Sequence, residues 1–247
     1  MISKKLLAKT FEYFDFFKED NFVVAPSLPI LYFGDLASYE KSDLKVITVG
    51  KNPSDNEFRL KKNEPFSFVR FPNWDENKRN LIESLNPYFK EKPLKQWFSC
   101  FEPILNGLSS SYYPGVKENI ALHTDICSPL ATYPTWSKLP KTKQKLLYKD
   151  GFQLWKELIE ELQPDIMFVS IPRALFNSVF TLNGKELVVF NEKKDGTIRK
   201  NPYVVESYEY ILRNNKQVKV VFGQAANKPF DTIYSKQKIK IGELCQK

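Results

Sequence analysis

The chain has 247 residues, enough for one large domain or two small ones with a substantial core and no covalent staples. Its three cysteines, Cys100, Cys127 and Cys245, form an odd set without a CxxC pair, which argues against a zinc ribbon, an iron-sulfur cluster and a secreted disulfide scaffold. The 37 Lys and Arg against 29 Asp and Glu leave a net charge of +8, and 15% of the residues are aromatic, a combination suited to a polyanionic partner whose bases stack on exposed rings.

A lysine-rich proteome yields the same charge, so the composition supports a DNA partner without establishing one. No apolar run approaches the roughly 18 residues of a membrane span, and acidic residues interrupt the Phe11–Lys18 stretch where a signal-peptide core would have to lie. A cytoplasmic monomer with no membrane attachment, no metal and no cofactor is the expectation.

Residues 3–20 repeat Leu6, Leu7, Phe11, Phe14 and Phe17 at helical spacing and predict an amphipathic helix. A first buried strand is expected at 44–49, helices at 75–89 and 94–108, and a second strand at 119–125. The second of those helices would turn Trp97, Phe98, Phe101 and Leu105 inward. A long helix is expected at 141–162, with Leu146, Leu147, Phe152, Trp155, Leu158 and Ile159 facing the core. A third strand at 164–170 leads into a short helix at 172–180 that begins with proline. Alternation from 185 to 210, with a turn at Lys194-Asp195-Gly196, predicts an antiparallel excursion; a fourth strand follows at 217–222, then a basic tail. This order predicts a single α/β domain of three α/β/α layers around a mostly parallel four-stranded sheet.

Three of these strands run straight into polar turns: Gly50-Lys51-Asn52-Pro53-Ser54-Asp55, then His123-Thr124-Asp125, then Gly223-Gln224-Ala225-Ala226-Asn227. In open α/β sheets ligands sit in the crevice at the carboxyl ends of the strands, so the three turns are expected to converge on one pocket. Taken singly, each is an ordinary strand-to-helix connection. No GxGxxG or GxxxxGK[ST] follows any strand, which argues against a generic nucleotide-binding protein.

In order and type the three turns resemble the motifs of the uracil-DNA glycosylase superfamily, whose first motif reads GQDPYH or GINPG in different branches. The resemblance spans about 44–230 and rests on short motifs. It implies hydrolysis of an N-glycosidic bond without a cofactor: a water is placed against the sugar carbon, and the departing base anion is stabilised. Asn52 then stands where the family positions that water, within a motif that brings Gly50 and Lys51 to the substrate. A tyrosine that walls off the base C5 in uracil-specific relatives is replaced by Ser54, which leaves room. Phe66, in Pro65-Phe66-Ser67-Phe68-Val69, matches the stacking platform under the flipped base, with Phe68 as the fallback.

Where relatives carry a uracil-reading Asn, this chain has Asp125. A carboxylate only accepts hydrogen bonds, so it suits the N4 amino group of cytosine and leaves uracil O4 without a donor. With the open C5 side, this implies a 5-modified cytosine, hydroxymethylated or glucosylated, of the kind found in phage DNA. The chain thus resembles the bacterial antiphage glycosylases of the superfamily.

The final motif departs further, since the family's HPSPLS histidine is missing. Gln224 or Asn227 would serve as neutral donors to the leaving base, and Lys228 or Phe230 would wedge into the DNA. His123, two residues before Asp125, shares its strand face and would either support the site or be a satisfied structural histidine. Two alternatives stay open: a uracil or mismatch glycosylase in which Asp125 faces elsewhere, and a catalytically inactive DNA-binding relative.

Overall fold

In a computed structural model, which describes residues 2–225 and 228–246, the chain is an α/β protein. In chain order it forms α1 (Lys4–Phe17), α2 (Leu36–Lys41), β1 (Val46–Gly50), α3 (Leu81–Leu85), α4 (Lys95–Phe98), α5 (Glu102–Asn106), β2 (Ser110–Ser111), β3 (Asn119–Ile120) and β4 (Leu122–Asp125). Then follow α6 (Lys141–Leu162), β5 (Ile166–Val169), α7 (Arg173–Asn177), β6 (Leu182–Glu192), β7 (Ile198–Ile211), β8 (Gln217–Gly223) and α8 (Ser235–Glu243), with short 3-10 turns at Asp55–Phe58 and Trp136–Lys138.

The principal sheet has six strands in the order β4-β1-β5-β8-β7-β6, and β2 pairs with β3 in a separate ladder. The expectation of four strands is thereby corrected. The excursion at 185–210 does not leave the sheet: its long hairpin, β6 with β7, extends it, because β7 pairs antiparallel with β8 from Val205↔Gly223 to Ile211↔Gln217. At the centre β1 pairs parallel with β5, and β5 parallel with β8. This mostly parallel core is compatible with α/β/α layering.

The chain divides into two compact units, 1–40 with 51–94 and 122–162, and 41–50 with 95–121 and 163–247. In the first, Leu6, Tyr13, Phe14 and Phe17 of α1 are buried, and the Tyr13 hydroxyl donates to the Leu147 carbonyl of α6 at 2.8 Å. Leu147, Leu154, Trp155, Leu158 and Ile159 form the inward stripe of α6, whereas Leu146, expected inside, is 45% exposed. In the second unit β5 and the centre of β8 are buried, as the unbroken apolar runs of 166–169 and 220–222 require.

Two helical expectations are corrected, and the basic tail holds a helix that was not expected. Only 81–85 of the 75–89 stretch is helical: the Asp75 carboxylate accepts from the N–H groups of Asn77 and Lys78, the Asn80 side chain accepts from Asp75 N–H, and Arg79 takes φ 48°. Such side chains offer the backbone alternatives to helix. Residues 94–108 split into α4 and α5, because Pro103 supplies no N–H and sits in the first turn of α5. The basic tail contains α8, whose buried stripe includes Lys238; the stem is covered while the ammonium donates to the Cys100 carbonyl at 3.0 Å.

Candidate active site

Gly50 closes β1, and the chain leaves it through Lys51, Asn52, Pro53 and Ser54. β4 ends in the same manner at Asp125 and continues through 126–132. In the first unit these two turns are laced together. The Cys127 N–H donates to the Lys51 carbonyl at 2.7 Å, and the Asn52 side-chain NH2 donates to Thr132 Oγ1 at 3.2 Å and to the Leu130 carbonyl at 3.4 Å. Ser54 and Thr132 form a parallel bridge. The same Asn52 nitrogen also meets the Pro53 carbonyl at 2.8 Å. With its nitrogen committed to three oxygens, the amide is held in one orientation, and its carbonyl oxygen is the end available to orient a water.

Asp125 has a side chain only 4% exposed, and its Oδ1 lies 3.7 Å from Nε2 of His123, so the expected shared strand face is present. The imidazole is itself buried, with its ring 5.6 Å from that of Phe33. Lys51 completes this end of the site. Burial lowers the pKa of its ammonium, an effect opposed by the nearby Cys127 and Asp125, and Nζ donates to Ser137 Oγ at 3.2 Å.

Ser54 is small, as the reading of an open C5 side requires, but it also caps a helix: its Oγ accepts from Asn56 N–H at 3.3 Å at the head of the 3-10 turn. Phe66 is half-buried, set edge-to-face against Tyr133 with centroids 5.8 Å apart. Phe68 packs against Phe58 and Trp74, the contacts of a packing residue.

Beside this cluster lies a charged group that the motif reading missed. Asp55 and Arg59 form a buried ion pair four residues apart, and Glu57, between them, is buried as well. Glu57 Oε2 accepts from the Tyr88 hydroxyl at 2.6 Å and lies 3.8 Å from Arg70 Nε. Burial pushes the Glu57 carboxyl up to about 7; Tyr88 and Arg70 oppose the rise and the Asp125 charge adds to it. The Arg70 contact taken alone would hold Glu57 ionised, but at that distance it does not offset complete desolvation. The signal in the sequence was the i,i+4 spacing of Asp55 and Arg59 inside an otherwise ordinary loop.

The third turn belongs to the second unit. Gln224 is exposed, and its carbonyl accepts from the Tyr203 hydroxyl at 2.9 Å; Asn227 lies outside the described residues. Lys228 is exposed, but Phe230 is fully buried, its ring edge-to-face with Phe101 at 6.0 Å. A Cβ on Gly223 would lie 2.2 Å from the Phe230 ring, so glycine at the end of β8 is what lets that ring fold inward. The wedge expectation for Phe230 is corrected on this ground, and Lys228 is the solvent-facing member of the pair. Ser170 fixes the turn by donating to the Gly223 carbonyl at 2.8 Å and accepting from Phe230 N–H at 2.9 Å.

Among the described residues no group of His, Cys, Asp and Glu is arranged to hold a metal, and no helix is long and apolar enough to cross a membrane. No protein-family model matches this chain, and neither does any curated protein compared with it.

Proposed function

We propose that this protein is a DNA glycosylase that hydrolyses the N-glycosidic bond of a flipped-out 5-modified cytosine, hydroxymethylated or glucosylated, and leaves an abasic site. The observation that carries the reading is the Asp125 carboxylate, buried at the end of β4 and laced through the 126–132 segment to the turn that holds Asn52. In a site closed to water a carboxylate accepts from cytosine N4 and discriminates against a carbonyl in the same place, because leaving a buried polar group unpaired costs roughly 1–3 kcal/mol.

In this mechanism the Asn52 carbonyl oxygen orients the attacking water. An amide is a poor base, so bond breaking runs ahead of attack, and the rate comes from positioning and from electrostatic stabilisation of the departing base. Gly50 and Lys51 shape the same turn, Phe66 supplies a ring for the extruded base, and Ser54 leaves the C5 side open. The net charge of +8 supplies the attraction to phosphates.

Mass spectrometry of bases released from DNAs that carry cytosine, hydroxymethylcytosine, glucosylated hydroxymethylcytosine or uracil tests the reading. Release of a modified cytosine is expected. Release of uracil alone would reassign the specificity, and release of no base from any of them would remove the enzymatic reading.

A further inference from the structure

A cavity of about 580 Å³ lies wholly in the second unit and shares no residue with the candidate active site. Small-molecule sites span roughly 300–1,000 Å³, so it has the size of one. Three elements wall it: the junction of α4 and α5 supplies Cys100 and Pro103, the turn between β6 and β7 supplies Lys194, and the head of α8 supplies Tyr234, Lys236 and Lys238. The hairpin is tied to that head, since Arg199 Nη2 donates to the Thr232 carbonyl at 2.5 Å and Gln237 Nε2 to the Glu192 carbonyl at 3.0 Å.

The lining carries three lysines and, among the described residues, no carboxylate. Lys238 is only 8% exposed, and its ammonium donates to two neutral acceptors, the Cys100 carbonyl at 3.0 Å and the Pro229 carbonyl at 3.4 Å. An ammonium has three donors, so one is left for a ligand. Burial lowers the pKa of this group and Lys228 adds to the fall, while Cys100 and Asp231 oppose it. A covered positive charge without a paired carboxylate is costly alone and favours an anionic occupant. The backbone adds to the same field: Tyr234 caps α8 without a side-chain hydrogen bond, and the N–H groups of Ser235 and Lys236 in its first turn have no intrahelical acceptor. The rest of the lining is apolar, with Pro103, Ile233 and the half-buried ring of Tyr234.

We propose that this cavity binds a mononucleotide, its phosphate held by Lys238, Lys236 and the first N–H groups of α8, and its base set against Tyr234 and Pro103. A phosphate monoester answers the lysines, and a flat ring answers the apolar wall. A duplex backbone lies over a surface and does not reach an ammonium covered to this depth, whereas a free monoester enters a concave site. The site stands independently of whether the chain releases a base.

Calorimetric titration of the full chain with adenosine 5′-monophosphate, adenosine, inorganic phosphate and a short DNA duplex tests this, for wild type, Lys238→Met and Lys236→Gln. The monophosphate should bind wild type, with adenosine and phosphate each weaker by about tenfold or more. Lys238→Met, which keeps the apolar stem, should weaken the monophosphate by about tenfold or more, as loss of a charge-assisted hydrogen bond implies. Lys236 is exposed, so Lys236→Gln leaves the core intact and should weaken the monophosphate by roughly three- to tenfold even where Lys238→Met fails to fold. Duplex affinity should change less than twofold in Lys236→Gln. No binding of the monophosphate at millimolar concentration, or unchanged binding in Lys236→Gln, would overturn the proposal. Phosphate binding as tightly as the monophosphate would overturn the nucleotide assignment, and equal losses for duplex and monophosphate would make the lysines a DNA backbone contact.

Discussion

Asn52 is bound on the nitrogen side to Pro53, Leu130 and Thr132, so truncating it removes the oxygen proposed to orient the water and one lace between the two turns. Asn52→Ala is expected to lower base release on the order of a hundredfold or more, with DNA affinity little changed because phosphate contacts dominate it. Asn52→Asp keeps an oxygen but loses the donor to Thr132; an intermediate rate would separate the two contributions. At Asp125 the expectation is a change of substrate. Asp125→Asn restores a donor toward O4 and should shift the ratio of uracil to modified-cytosine release by roughly 5- to 150-fold, as the 1–3 kcal/mol penalty of an unpaired buried group implies. A folded variant that kept its full cytosine preference would make Asp125 a structural strand-end residue, partner to His123 at 3.7 Å.

Among the elements, the strand ends are positioned by the helices behind them. Gly151 on α6 lies against the segment that follows β4: a Cβ there would meet the Cys127 carbonyl oxygen at 2.5 Å and the Ser128 Cα at 2.9 Å. Alanine is the better helix former by about 1 kcal/mol, yet here the neighbours are backbone and cannot swing aside. Gly151→Ala is therefore expected to lower stability by roughly 1–3 kcal/mol, as overpacking does. It should also slow catalysis, since Cys127 is the residue whose N–H bonds the Lys51 carbonyl. Chemical denaturation followed by base-release kinetics checks both. An unchanged midpoint and rate would mean that α6 does not hold the 126–132 segment in place.

For the molecule as a whole, Glu57 ties stability to pH. Its carboxyl rises from an ordinary 4.5 to about 7 in the folded chain, chiefly through burial. A folded-state pKa above the unfolded one means that the native state holds the proton more tightly. The stabilisation is therefore complete below about 4.5 and is lost as pH rises through about 7. The free energy of unfolding, from chemical denaturation, should fall between pH 5 and pH 8 by on the order of 2–3 kcal/mol, and Glu57→Gln, which mimics the neutral acid, should flatten that fall. A Glu57→Gln profile parallel to wild type would place the titration elsewhere.

The sequence by itself determined the features that local chemistry dictates. The long helix at 141–162, the apolar strands at 46–50, 166–169 and 217–223, and the hairpin with its turn near Gly196 all follow from periodicity and turn residues that need no distant partner. The placement of Asn52 and Ser54 just after one buried strand and of Asp125 at the end of another was legible from the apolar runs that precede them. Tertiary structure alone decided the rest. The hairpin joins the principal sheet through pairing with β8, a contact that alternation predicts no partner for. Helix failed at 75–80, where Asp75 and Asn80 side chains outcompete backbone bonds. Phe230 turned inward because Gly223 leaves space for its ring. The Glu57–Tyr88 pair and the contacts of Arg59 with the Phe66 and Tyr133 rings join residues 31 and up to 74 positions apart. Burial and long-range contact set the charge state of such groups and the ring faces they leave open, and neither is encoded in the spacing of one segment.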